Sequence, residues 1–138
     1  GTIFGTSIGM RFHTAVNKFC WQAVMGQNLT VWKTAMDQKR PYLGVDDAIE
    51  AINFIIEKDI FNGEIYNIVS SNNTVREIID IIKECIPDLK IEYVDSEIMN
   101  QLSYEVKSNK IEELGLSISN DIIENIKETI EQFSALLN

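Results

Sequence analysis

The sequence is poor in histidine, cysteine and proline, and it is short of positive charge. Its single histidine, His13, and two cysteines, Cys20 and Cys85, with no Cys-x-x-Cys, exclude a zinc site of ordinary ligand spacing. The two thiols read as free and buried, as expected in a reducing cytoplasm. Twelve Lys and Arg stand against 21 Asp and Glu, a net charge of −9, which excludes a broad nucleic-acid-binding surface. No run approaches the ~20 apolar residues of a membrane span. The opening residues have no basic stretch before a long apolar core, so no signal peptide and a cytoplasmic location are expected. No repeat, linker or low-complexity segment interrupts the 138 residues, which suffice for one domain or half of a larger one.

The motifs of a complete enzyme are missing as well. Gly1, Gly5 and Gly9 are spaced GxxxGxxxG, not as the GxGxxG of a dinucleotide phosphate turn. None of Tyr42, Tyr66, Tyr93 and Tyr104 has a Lys four residues later. No serine lies in a GxSxG elbow. His13 has no evident acid or nucleophile beside it, and general-base work needs a positioned neighbour. Read without any family, the chain is an α/β or α+β module to which no reaction is assigned.

What is present alternates between strand and helix. Residues 2–5 read as a short buried strand entering a Gly/Ser-rich loop. Phe12, Val16, Phe19, Cys20 and Ala23 mark one face of a helix that stops at Gly26. Strands are predicted at 29–32 and 41–45. A helix capped by Asp46 or Asp47 follows, with Ala48, Ile49, Ile52, Ile55 and Ile56 as its buried face. After the Asn62–Gly63 turn, 64–69 reads as a strand. Residues 70–73 then form a loop and cap for a helix that buries Val75, Ile78, Ile79, Ile82 and Ile86, with Pro87 beyond its end. Strands at 89–94 and 103–107 are expected, then a short helical turn at 109–114 stopped by Gly115. Ser119 is expected to cap a last helix with Ile122, Ile126, Ile130, Phe133 and Leu137 on one stripe.

Charge is uneven along the chain. Residues 1–69 hold six basic against seven acidic residues; residues 70–138 hold six against fourteen. An anionic ligand should therefore be held by the first half, where Arg11, Lys18, Lys33, Lys39 and Arg40 cluster.

Three segments carry a resemblance. GTIFGTSIGMRFHTAVNKF resembles the part of extended short-chain dehydrogenase/reductases that follows their Tyr-x-x-x-Lys helix. KRPYLGVDDAIEAI is similar to that family's segment around Val-Asp-Asp. GEIYNIVSSNNTVREIIDII followed by SNKIEELGL resembles its "G-x-x-Y-N" and "S-K-x-x-x-L-G" segments. Their order matches the NAD-dependent epimerase/dehydratase branch.

The resemblance implies the C-terminal portion of an extended Rossmann-type fold. Residues 1–5 and 45–69 would be edge elements of the nucleotide-binding domain, and 6–44 and 70–138 a small α/β substrate-binding domain. The glycine-rich NAD loop and the Tyr/Lys pair would lie upstream, in a missing N-terminal half. The parent would bind NAD and a nucleotide-diphosphate sugar, oxidise a sugar hydroxyl and return the hydride; a catalytically silent binding or interaction module of the same fold stays open.

Residue by residue, the resemblance gives Arg40 as the grip on a substrate phosphate, and a planar fork of donors suits phosphate oxygens. Thr2 would stand beside the substrate. Phe4, Gly5, Thr6 and Ser7 would form the loop beside the nicotinamide. Asn17, on a stripe with His13 and Trp21 that has Arg11 at its start, would face away from the apolar stripe and line a nucleotide pocket. No catalytic residue and no metal ligand is expected within the chain. Thr6 replaces the family's Pro, Gly44 its His, and residues 97–107 lack the usual second Arg. Arg40 should then carry more of the phosphate binding, with Arg11 or Lys39 assisting. Cut from its upstream half, the chain should expose apolar surface and self-associate.

Overall fold

A computed structural model describes residues 2–95, 103–119 and 121–137. Eleven elements follow one another: β1 (Thr2–Phe4), α1 (Ala15–Val24), β2 (Leu29–Trp32), a 3-10 turn (Lys33–Ala35), β3 (Lys39–Gly44), α2 (Val45–Glu57), β4 (Ser71–Thr74), α3 (Val75–Cys85), β5 (Ile91–Val94), α4 (Asn109–Glu112) and α5 (Ile122–Ala135). They form two small sheets. In one, β3 lies between β1, to which it is parallel, and β4, to which it is antiparallel. In the other, β2 and β5 run parallel, Leu29 opposite Ile91. The α/β class is as expected. β3, which the expected division gives to the substrate-binding part, pairs directly with β1, which that division gives to the nucleotide-binding part.

The core gathers where α1, α3 and α5 meet the strands. Val16, Phe19, Cys20, Ile78, Ile79, Ile82, Ile126, Ile130 and Phe133 are buried there, as their helical spacing predicts. Burial pushes the Cys20 thiol up to about 12, so it stays protonated and inert at neutral pH. Two helix ends show their local chemistry clearly. Gly26, past the end of α1, has φ +66°, a value glycine adopts without a Cβ clash. Thr74 and Glu77 close a reciprocal capping box on α3: the Glu77 N–H donates to the Thr74 hydroxyl at 3.2 Å, and the Thr74 N–H donates to the Glu77 carboxylate at 2.7 Å. That backbone donor holds the Glu77 carboxyl below its ordinary range.

Several expectations are corrected. Residues 64–69 are not a strand. β1 and β4 occupy the two edges of β3, and Ser71–Thr74, expected as a loop and cap, takes the second of them. Residues 103–107 are not a strand either: the Asn72 side chain replaces a ladder, accepting from the Val106 N–H and donating to the Val106 carbonyl, both at 2.9 Å. Asp46 and Asp47 do not cap α2. Gly44 is its N-cap, without a side-chain bond, and Asp47 turns inward instead. Its carboxylate accepts from the Ser70 hydroxyl, and from the Ser119 N–H and hydroxyl at 3.3 and 3.2 Å. Ser119 thus serves Asp47, and Asp121 caps α5 by accepting from the Glu124 N–H at 3.0 Å. Leu137, expected on the buried stripe, is exposed.

The largest correction concerns α2. Ile49, Ile52 and Ile56 are each more than half exposed. The helix instead turns Ala51, Phe54 and Ile55 toward a small second cluster with Ile111, Leu116 and Ile118. Hydrophobic periodicity finds an apolar face, but it does not say whether this chain supplies the cover.

Candidate functional site

Two clefts open at opposite ends of the β1–β3 pair. The first lies at the end marked by Thr2, opposite Tyr42, and has a volume of about 390 Å³. β1 contributes Thr2, α1 contributes Lys18, β2 contributes Trp32, β3 contributes Arg40 and Tyr42, and the segment after the undescribed residues contributes Tyr104. Its walls are apolar and aromatic with few charges, the usual make-up of a small-molecule site.

Arg40 is held in place by its surroundings. Its Nη1 donates to the Lys39 carbonyl and its Nη2 to the Gln38 Oε1, both at 2.8 Å. Its guanidinium carbon lies 5.2 Å from the centre of the Tyr104 ring, within cation–π reach. Tyr104 is anchored in turn by its own N–H, which donates to the Lys39 carbonyl at 3.3 Å. Tyr42 is buried beside them, and burial pushes its phenol above the ordinary range.

Of the residues named from the sequence, Thr2, His13 and Arg40 line this cleft, and Arg11 and Lys39 are not part of its lining. The exposed Arg11 side chain is not part of the lining. Lys39 is committed to Glu105 at 2.6 Å, and that pairing raises its pKa. Asn17 is corrected: it faces inward, only 2% exposed. It accepts from the Gly5 N–H at 2.9 Å and donates to the Gly5 and Arg11 carbonyls at 3.4 and 3.2 Å, clamping the loop rather than facing a ligand.

Lys18 is the residue that sequence reasoning passed over. Within α1, Asn17 of the chosen stripe is one residue from Lys18, about 100° of rotation on a helix; His13, which precedes the helix, does reach the cleft. The signal was the position of Lys18 next to an apolar stripe, where a long stem can lie along the cleft wall. Trp32 and Tyr104 were missed because only the tertiary structure brings them together.

The second cleft, about 200 Å³, lies at the other end of the pair. Phe4, Gly5 and Thr6 meet Gly44, Asn125 and Gln132 there, with Asp46 and Glu128 also in its lining. The Thr6 hydroxyl donates to the Gln132 side chain. Ser7 falls outside, on a shallow depression with Met10 and Leu136. Gly5 has φ +113°, and a Cβ there would meet Val45 Cγ1 at 2.9 Å. Its lack of a side chain is thus explained by the packing of α2 against the loop. This cleft holds two carboxylates and no cation, which does not suit a dinucleotide pyrophosphate. No group of three or more His, Cys, Asp and Glu is placed to hold a metal ion among the described residues. None of their helices is long and apolar enough to cross a membrane.

Residues 2–69 match the NAD dependent epimerase/dehydratase family. The dTDP-D-glucose 4,6-dehydratase of Bos taurus is 35% identical over 105 residues, covering 70% of this chain and 29% of that protein. The chloroplastic UDP-sulfoquinovose synthase of Spinacia oleracea is 26% identical over 133 residues, covering 88% of this chain and 27% of that protein. The chain therefore spans less than a third of the length of these curated relatives. In fold, it resembles the UDP-glucose 4-epimerase of Thermotoga maritima solved with UDP-glucose, with a TM-score of 0.80 at 21% identity, over 99% of this chain and 45% of that one. A putative epimerase from Burkholderia cenocepacia gives 0.83 at 15% identity, over 97% and 45%. Ordered motifs, mixed α/β fold and relatives agree: the chain belongs to the NAD-dependent epimerase/dehydratase family, an extended short-chain dehydrogenase/reductase branch.

Proposed function

We propose that the chain is the substrate-holding, C-terminal portion of an NAD-dependent nucleotide-sugar epimerase or dehydratase. The observation that carries this reading is the first cleft, in which Arg40 is oriented by Gln38, Lys39 and Tyr104 toward a site lined by aromatic residues. A guanidinium so held loses little freedom on gripping a diphosphate. The open face of Ile49, Ile52 and Ile56 supports a second body in the parent, an N-terminal half that carries most of the NAD contacts. The span of under half of the solved relatives agrees with that division.

In such a parent, hydride chemistry is supplied by NAD. The work of this chain is to hold the sugar nucleotide. Arg40 binds phosphate oxygens, Thr2 stands at the strand end beside the sugar, and Trp32 and Tyr104 keep water from the walls. The loop Phe4–Ser7, clamped by Asn17, forms the edge that faces the cofactor.

The test uses the full-length protein, titrated separately with a sugar nucleotide, UDP-glucose or dTDP-glucose, and with NAD. Arg40→Ala should weaken sugar-nucleotide binding by about 1.5–3 kcal/mol, roughly ten- to more than a hundredfold, and leave NAD binding nearly intact. Arg40→Lys should recover only part, because an ammonium lacks the fork. Unchanged sugar-nucleotide affinity in Arg40→Ala removes the phosphate role from this residue. Binding without turnover in the native protein favours a catalytically silent module of the same fold.

A further inference from the structure

No carboxylate of the described residues lies within 4 Å of the Lys18 ammonium. Among the described residues, Lys33, Lys39, Arg76 and Lys110 each have a carboxylate within 4 Å, at 3.1, 2.6, 2.8 and 2.6 Å respectively. Lys18 has none. Its ammonium is instead drawn down against the cleft wall, where it donates to the Thr30 carbonyl at 3.2 Å and lies 5.9 Å from the centre of the Phe19 ring. One of its three N–H groups serves that carbonyl. A partly buried cation that meets only a carbonyl and a ring is incompletely compensated for the water it has lost. Burial accordingly lowers its pKa. An anion entering the cleft restores what desolvation removed.

The location gives the anion its identity. Lys18 and Arg40 line the same cleft from different elements, α1 and β3, and the other cation of the β3 strand, Lys39, is already paired. The segment 97–107 brings no arginine to the site. From these observations, and resting on the nucleotide-sugar reading above, we infer that Lys18 is the second cationic contact for the ligand's diphosphate, opposite Arg40. The two contacts are unequal. Arg40 offers a rigid fork, whereas Lys18 offers a point charge on a flexible stem whose carbonyl tether fixes its reach. Lys18 therefore adds affinity for negative charge more than it sets ligand orientation.

The experiment titrates the full-length protein with uridine diphosphate, uridine monophosphate and uridine, for the native sequence and for Lys18→Gln, Lys18→Arg and Arg40→Ala. Lys18→Gln should weaken uridine diphosphate at least tenfold, uridine monophosphate less, and uridine hardly at all. Lys18→Arg, which keeps the charge, should restore most of the diphosphate affinity. The thermal midpoint of Lys18→Gln should stay near that of the native protein, since one part-buried hydrogen bond is lost together with the desolvation of the charge. An equal loss for uridine and uridine diphosphate, or failure of Lys18→Arg to restore binding, assigns Lys18 a structural role and overturns the inference. If Arg40→Ala weakens the diphosphate and Lys18→Gln does not, this inference falls alone and the nucleotide-sugar reading stands. If the native protein does not discriminate uridine diphosphate from uridine, both fall.

Discussion

Helices α2 and α3 carry the same kind of isoleucine stripe and end differently. In α3, Ile78, Ile79 and Ile82 are fully buried between α1 and α5. In α2, Ile49, Ile52 and Ile56 stand in the open. Residue type and spacing are alike, so neither explains the contrast. The cause is the supply of partners: among the described residues, two helices cover α3 and none covers that side of α2. What holds α2 is a buried polar anchor and a small apolar cluster, both built from segments distant in sequence. Asp47 ties its first turn to Ser70 and Ser119, and a small cluster around Ala51 packs the opposite face. Under the proposed reading, that bare face is where the N-terminal half would pack.

This contrast can be tested by substitution and chemical denaturation. The largest effect is expected in α3, where Ile82→Ala removes fully buried methylenes and should cost about 2–5 kcal/mol. Next comes the anchor. Asp47→Ala strands the Ser70 hydroxyl and the Ser119 N–H and should cost about 1.5–3 kcal/mol, with Asp47→Asn recovering part. The smallest effect belongs to the open face. Ile52→Ala in the 138-residue chain should lie within about 0.5 kcal/mol of native. In the full-length protein the same substitution should cost about 2 kcal/mol or more, since the face is then covered. An equally small cost in both would leave α2 bare in the parent as well and break the comparison.

Much of this was legible in the sequence, and the failures share a cause. The helices α1, α3 and α5 follow from apolar spacing, and β2 falls on the predicted residues. Arg40 and Thr2, named from the motif segments, both line the first cleft. What failed needed knowledge of neighbours. Residues 64–69 have strand-like alternation, but both edges of β3 are taken. Asp47 has the composition of a cap and serves as a buried anchor, because two serines distant in sequence reach it. Asn17 looked like a polar outer residue, but the Gly5 backbone, twelve residues earlier, turns in to meet it. Lys18 stood one residue from the stripe that was chosen. Local pattern fixes which groups are apolar or polar; long-range packing decides which of them face a ligand.

The central claim is that the cleft at the Thr2 end of the β1–β3 pair, rather than the acidic one at the Gly5 end, receives the diphosphate of a sugar nucleotide. A crystal structure of the full-length protein with UDP-glucose tests it most directly. The account predicts diphosphate oxygens about 3 Å from the Arg40 guanidinium, with the nucleotide against Trp32 and Tyr104. Density for the diphosphate at Phe4, Gly5 and Gln132 instead, with Arg40 still on Gln38 and Lys39 alone, would contradict it.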